Sequence, residues 1–367
     1  MFITILTFVG VLLVLVLVHE LGHFWAARKL GVQVEEFGFG FPPRAYSWVR
    51  RGVVYSLNWL PLGGFVKLKG ENGEAKLEPG SFAAAAAWRR SVILVAGVAM
   101  NILLAFVLLT VGFTIGFRTL VSGDQIIQAK DVKIQISSLV ASSPAAEAGL
   151  QPGDEIISLD SNTFADIKLL QDYTTAQAGQ SIKVQIDRQG KKSEHSLIPK
   201  ALPESGNRPI LGVGLMQTGI LSYTWYEAIW QGARATWNLG VEIIVTFGKL
   251  IKNLVVSHEV PADLAGPVGI AVITGQVIKM GIIYLIQFAA LISLNLAIIN
   301  VLPLPALDGG RLLFVIIEKI RRKPNNERVE AIIHQIGFSL LMVLVVLITY
   351  RDIVRLSSGF FTKFIGN

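Results

Sequence analysis

The chain has 367 residues, 52% of them hydrophobic and 16% charged, with no cysteine and a formal net charge of +7. A composition this apolar excludes a soluble or disordered protein and places the chain among membrane proteins. The missing thiols exclude disulfides and cysteine ligands, so any metal must be held by His, Asp or Glu. The excess Lys and Arg lie beside apolar runs, where they set topology rather than bind nucleic acid.

Long apolar runs occur at about 2–24, 91–117, 281–302 and 333–350, each near the roughly 20 residues a spanning helix needs. The first has no basic segment before it and no small-residue cleavage site, so it is expected to remain as a spanning helix. It leads into His19-Glu20-Leu21-Gly22-His23. Two imidazoles and a carboxylate are costly in a bilayer unless something binds them. One helical turn apart, His19 and His23 share a face, a spacing that suits two ligands on one zinc ion with Glu20 as general base. The plainer alternative is a pair of histidines packing helices or lining a pore through hydrogen bonds.

Between the first and second runs come Arg28, Lys29, Arg44, Arg50, Arg51, Lys67, Lys69, Arg89 and Arg90. Between the third and fourth come Arg311, Lys319, Arg321, Arg322, Lys323 and Arg328. The positive-inside rule puts both loops in the cytoplasm and both termini, with residues 118–280, outside. His19–His23 then falls towards the cytoplasmic end of its helix. In the first loop, Val54 to Lys69 is the candidate edge strand for an added peptide, with β-prone Phe65-Val66-Lys67-Leu68 after Gly63-Gly64. An ordinary cytoplasmic hairpin is the alternative.

The outer region begins with a small α+β domain. Strands are expected at Val132 to Ile136, Glu155 to Leu159 and Ile182 to Ile186, and helices at Pro144–Ala148 and Ile167–Ala178. Over 224–256, Trp225, Ile229, Trp237, Val241, Ile244 and Phe247 recur near helical spacing. The expected element is an amphipathic helix at the outer interface. A fifth span, the alternative, breaks the charge topology.

The third run ends in Asn295-Leu-Ala-Ile-Ile-Asn300-Val-Leu-Pro303-Leu-Pro305-Ala-Leu-Asp308-Gly309-Gly310. Its prolines and glycines unwind the helix, and broken backbone at membrane depth is tolerated only under protein cover or beside a polar cavity. Asp308 is the carboxylate such a cavity would present, completing a His, His, Asp set with a fourth position for water. His195, His258 and His334 have no motif partner and are expected at the surface or an interface. Glu318 with Lys319 to Lys323 reads as a solvated helix end.

His-Glu-Leu-Gly-His in the first span together with Asn300 to Gly309 closely resembles the site-2 proteases, zinc intramembrane metalloproteases. Gly38 to Pro43, Pro61 to Lys67, Gly97 to Asn101 and Ala265 to Gly269 also match that family's habits. The likeness is greatest to the bacterial regulator of sigma-E protease group, whose PDZ modules lie between the second and third spans. Gly149 to Leu159 resembles the Gly-Leu-x-x-Gly-Asp-x-Ile segment of PDZ domains, with Leu211 to Leu215 a candidate carboxylate-binding loop; there is room for one such module.

The resemblance implies a polytopic α-helical membrane protein of about four spans with an inserted α+β PDZ-like domain. Its parts are a first membrane-core segment (1–120), an extracytoplasmic PDZ-like domain (121–218), an amphipathic interfacial connector (219–280) and a second core segment (281–367). It implies Zn2+ on His19, His23 and Asp308, with Glu20 as catalytic base. Asn300 and, more weakly, Asn295 would contact substrate, joined by Gly64, Phe65, Val66 and Lys67 of the edge strand. Implied substrates are single-span membrane proteins already shortened by another protease, such as anti-sigma factors, or remnant signal peptides, cut in a bacterial inner membrane. The other implied partners are lipid and a peptide or carboxyl-terminal ligand at the PDZ module, which either binds peptide or screens by bulk. The rival functions are a catalytically idle PDZ scaffold and a metal or proton transporter.

Overall fold

In chain order, α1 (Phe2–Lys29) leads into a hairpin of β1 (Val34–Arg50) and β2 (Val53–Leu68), followed by α2 (Ala87–Ile115). Next come β3 (Phe117–Leu120), α3 (Asp124–Gln128), β4 (Lys130–Leu139), α4 (Pro144–Glu147), β5 (Glu155–Leu159) and α5 (Ile167–Ala176). Then follow β6 (Ile182–Arg188), β7 (Lys191–Leu197), β8 (Lys200–Ala201), β9 (Pro209–Ile210) and β10 (Val213–Leu221). The chain closes with α6 (Trp225–Val256), α7 (Pro267–Met280), α8 (Ile282–Val301), α9 (Asp308–Arg321) and α10 (Glu327–Ile365). This computed structural model describes residues 2–71, 78–140, 143–188, 190–201, 209–256, 266–323 and 325–365.

Among the described residues, four helical stretches are long and apolar enough to cross a membrane: Ile3–Lys29, Ala87–Ile115, Ile282–Val301 and Arg328–Val354. These are the four expected runs. Contacts group residues 1–112 with 229–367 as one unit and residues 113–228 as a second.

Helix α6 is one 32-residue helix that begins in the second unit and runs on into the first. It buries Thr236 and Ile243 and exposes Trp225, Trp230 and Trp237. The stretch 219–280 is more than a connector, because α7 packs against α1, α8 and α10. Asp352 of α10 holds the start of α7, its Oδ2 accepting the N–H groups of Gly266 at 3.0 Å and Gly269 at 2.7 Å. A carboxylate there satisfies otherwise orphaned donors. Residues 257–265, including His258 and Ala265, lie outside the described residues.

The second unit holds a six-stranded sheet in the order β3-β10-β4-β5-β6-β7, every neighbouring pair antiparallel. Alternation places Ile134, Ile136, Ile156, Ile182, Val184 and Ile186 in one core against Leu170 of α5. Ser143 caps α4 before Pro144, and Asp166 caps α5 by accepting the Lys168 N–H at 2.9 Å. Over Val213–Met216, β10 has β4 on one side and no strand on the other among the described residues.

Asp154, only 1% exposed, closes the Pro152-Gly153 turn by accepting the Gln151 N–H at 2.8 Å. Arg188 grips both its oxygens, Nε to Oδ1 at 2.6 Å and Nη2 to Oδ2 at 2.7 Å. Burial opposes the charge, but the Arg188 and Gln151 bonds outweigh it and hold the carboxyl below its ordinary 3.8. A depressed folded value means this stabilisation is present above the unfolded value and lost as pH falls through the folded one. Protection factors of the β5 and β6 amides, corrected for the intrinsic exchange rate, should therefore fall as pH drops below about 4. Asp154→Asn should remove that acid dependence and cost about 1.5–3 kcal/mol at neutral pH, as a charge-assisted bond does.

Candidate active site

The site forms where α1, α2, the β-hairpin and the start of α9 meet, all within the first unit. His19 and His23 lie one turn apart near the end of α1, and both are 6% exposed. Asp308 stands at the first position of α9, after the break that Pro303 and Pro305 impose beyond α8. Its Oδ2 lies 3.0 Å from His19 Nε2 and 3.2 Å from His23 Nε2, and the two Nε2 atoms are 3.1 Å apart. Tetrahedral zinc with bonds of about 2.0–2.1 Å separates its ligands by about 3.3 Å, close to this triangle.

Second contacts orient these side chains. His23 Nδ1 lies 2.8 Å from the Ile93 carbonyl. A carbonyl only accepts, so Nδ1 carries the proton and a neutral ring keeps its Nε2 lone pair for a metal. Gly97 of α2 makes room for both rings, since a Cβ there would collide with His23 Nε2 and approach His19 Cε1 within 2.9 Å. The donor set, its spacing and this cradle fit a zinc ion.

Glu20 is not part of the triangle. Its Oε2 accepts the Val66 N–H at 2.9 Å, so the hairpin aims the carboxylate. The pairing register explains why. The first half of β1 is bonded on one side to Val54–Leu57 and on the other to Gly64–Leu68, while the second half of β1 covers the far side of Val53–Asn58. Of the expected edge Val54 to Lys69, the part up to Asn58 is therefore interior, and Gly64–Leu68 forms the free edge among the described strands. Gly64 lets that edge pass over α1: a Cβ would meet the Gly38 carbonyl oxygen at 2.9 Å and Leu17 Cδ2 at 3.0 Å. Phe65 and Val66 line a cavity of about 170 Å³ with Glu20, His23 and Asp308; Lys67 lies on the same edge and pairs with Glu35 at 2.9 Å.

Asn300 Nδ2 reaches to 3.4 Å from His19 Nε2, which puts its amide beside the cluster. Asn295 does not join it: its amide bonds back to the Leu291 carbonyl of its own helix at 3.0 Å.

The structure gives other polar residues their partners. His334 of α10 is half-buried at an interface, one of the two places expected for it. Its Nδ1 accepts the Ala306 N–H at 2.9 Å, and its ring lies 5.5 Å from that of Phe314. It thus braces the broken segment two residues before Asp308, where Ala306 has a φ of 76°. The helix end expected at Glu318 to Lys323 is there, exposed from Lys319 onward, but Glu318 itself is held by Arg90 of α2, which grips both its oxygens at 2.8 and 3.1 Å. His195, on β7 of the second unit, is half-buried and bonds the Ala148 carbonyl at 2.8 Å. A lone His in an apolar run, or a Glu among lysines, gives no periodic signal that identifies its partner.

A family model described as Peptidase family M50 matches residues 7–344. A Nostoc sp. protein whose name carries the words zinc metalloprotease is 33% identical over 365 residues, covering 97% of each chain. Zinc metalloprotease RasP of Geobacillus kaustophilus is 31% identical over 434 residues, covering 96% of this chain and 98% of its own. Among solved structures, the PDZ domain of the SdrC-like protein from Listeria monocytogenes aligns at 25% identity with a TM-score of 0.21, over 22% of this chain and 85% of that one. The chain belongs to peptidase family M50, the site-2 protease family that its motifs resemble.

Proposed function

We propose that this membrane protein is a zinc endopeptidase that cuts single-span substrates in or near their membrane segment. The observation that carries this reading is the convergence of His19, His23 and Asp308 on one point beside Glu20, among helices apolar enough to span a bilayer. His19, His23 and Asp308 would hold the zinc. When bound, zinc polarises the scissile carbonyl and acidifies the attacking water. Glu20 takes the proton of that water and delivers it to the leaving amine nitrogen, in a geometry fixed by the Val66 N–H. Asn300 offers an amide donor to the carbonyl oxygen as its charge develops.

A spanning helix hides its carbonyls in its own hydrogen bonds and must unwind before it can be cut. An extended segment lying along the Gly64–Leu68 edge, beside the Val66 and Leu68 N–H groups that Glu20 and Glu71 accept, offsets part of the lost helical bonds. The basic stretches 28–90 and 311–328 support a reading in which the hairpin and the site face the cytoplasm from a bacterial inner membrane and the PDZ-like module lies outside. That module binds or screens substrates; the open side of β10 over Val213–Met216 is the place for a carboxyl-terminal peptide. Substrates already shortened by another protease, such as anti-sigma factors, or remnant signal peptides, match these requirements.

The test is a single-span reporter reconstituted with the full chain in liposomes, with product termini mapped by mass spectrometry. Cuts should fall within or next to the span, cease on chelation and return with zinc. Cuts confined to the soluble part of the reporter, or indifference to chelation, would overturn the proposal.

A further inference from the structure

The hairpin that carries the free edge and the helix that carries Asp308 are distant in sequence, and a polar pair joins them. Glu71, just beyond β2, accepts the Leu68 N–H at 3.2 Å and forms an ion pair with Arg311. Arg311 lies three residues after Asp308 in α9, so the two share a helix face. Both line the cavity that also contains Glu20, His23 and Glu71. Leu68 is two residues from Val66, whose N–H holds the Glu20 carboxylate. The pair therefore links the metal-ligand helix to the strand that aims the base.

Other bonds show how each element is held. Arg90 and Glu318 anchor α9 to α2 at 2.8 Å. The base of the hairpin is bonded to the chain after α1, with the Lys69 N–H donating to the Gln33 carbonyl at 2.9 Å. The Glu71–Arg311 pair ties the Leu68 end of the edge to α9, so its loss would leave that end free to shift. A peptide added to an edge is indexed by backbone bonds at about 3.3 Å per residue. A shift of that size would bring a neighbouring peptide bond to Glu20.

We propose that Glu71 and Arg311 are positioning residues that fix the Gly64–Leu68 edge relative to Asp308, and so select which peptide bond of the substrate is cut. This inference rests on the proposed cleavage reaction and on strand addition. Neither side chain touches the reacting atoms; both act through the strand and through α9.

The experiment compares the full-length wild type with Glu71→Gln, Arg311→Gln and the exchanged double variant Glu71→Arg with Arg311→Glu. Each is reconstituted with the single-span reporter, and product termini, zinc content and backbone amide exchange are measured. The wild type should give one dominant cut. Each single variant should keep its zinc, spread cleavage over adjacent bonds and raise exchange at Gly64–Leu68 at least tenfold, with α1 and α2 unchanged. The exchanged variant should narrow the cuts again. An unchanged cut pattern in the single variants overturns the inference while leaving the proposed function standing. Loss of zinc, or faster exchange throughout α1 and α2, also overturns it, because the pair would then only support the fold. A wild type that yields no product defeats the proposed function and with it the selection of a cut site; unaltered edge exchange would also defeat the positioning role.

Discussion

Glu20→Gln should leave zinc bound and lower cleavage by about 10²–10⁴-fold, the usual contribution of a general base. The two side chains have nearly the same shape, and a glutamine oxygen can still accept the Val66 N–H that holds Glu20 at 2.9 Å. What the amide lacks is affinity for a proton, so the water loses its acceptor and the leaving amine its donor. Zinc content should not change, because Glu20 stands outside the His19, His23 and Asp308 triangle. The measurements are reporter cleavage in liposomes and elemental analysis of the same preparation. Unchanged cleavage removes Glu20 as the base. A wild type that purifies without zinc and never cuts favours an idle scaffold, and zinc-dependent ion flux without cleavage favours a transporter.

Asp308→Ala should abolish cleavage by a different route, the loss of the metal. Deleting a group that merely orients a ligand costs about 10–100-fold in metal affinity. Deleting a ligand should exceed that, so a drop of more than about 100-fold is expected. The two histidines remain, with His23 still oriented by Ile93, and two imidazoles alone do not make a closed zinc site. Zinc titration with a competing chelator measures the change. Full retention would exclude Asp308 as a ligand. Asn295→Ala is the matched control and should retain both zinc and activity, because that side chain bonds only its own helix among the described contacts.

Much of this arrangement was legible in the chain. The four spans follow from runs of Ile, Leu, Val and Phe long enough for a bilayer, and those runs became α1, α2, α8 and α10. The strands at Ile134, Ile156 and Ile182 followed from alternation, and the helix expected from Ile167 begins there as α5. The edge strand was only half legible. Val54–Asn58 and Gly64–Leu68 have similar β-prone composition, and pairing with the two halves of β1 decides which one is interior. The partners of His334 and Glu318 were not legible for a related reason. Their partners, Ala306 and Arg90, stand 28 and 228 residues away. Local pattern carries no information about such pairings.

By itself the sequence determined the chemistry on offer. Spacing along one helix puts His19 and His23 on a common face with Glu20 beside them, because helical periodicity is a local property of the backbone. Prolines and glycines around Asp308 required a break in the helix, because ring and hydrogen-bond constraints are also local. Only the tertiary structure decided that Asp308 closes the triangle at 3.0 and 3.2 Å, that Gly97 leaves room for the imidazoles, and that Val66 aims Glu20. Those facts depend on how α1, α2, α9 and the hairpin pack, and packing joins residues whose separation in sequence sets no distance between them.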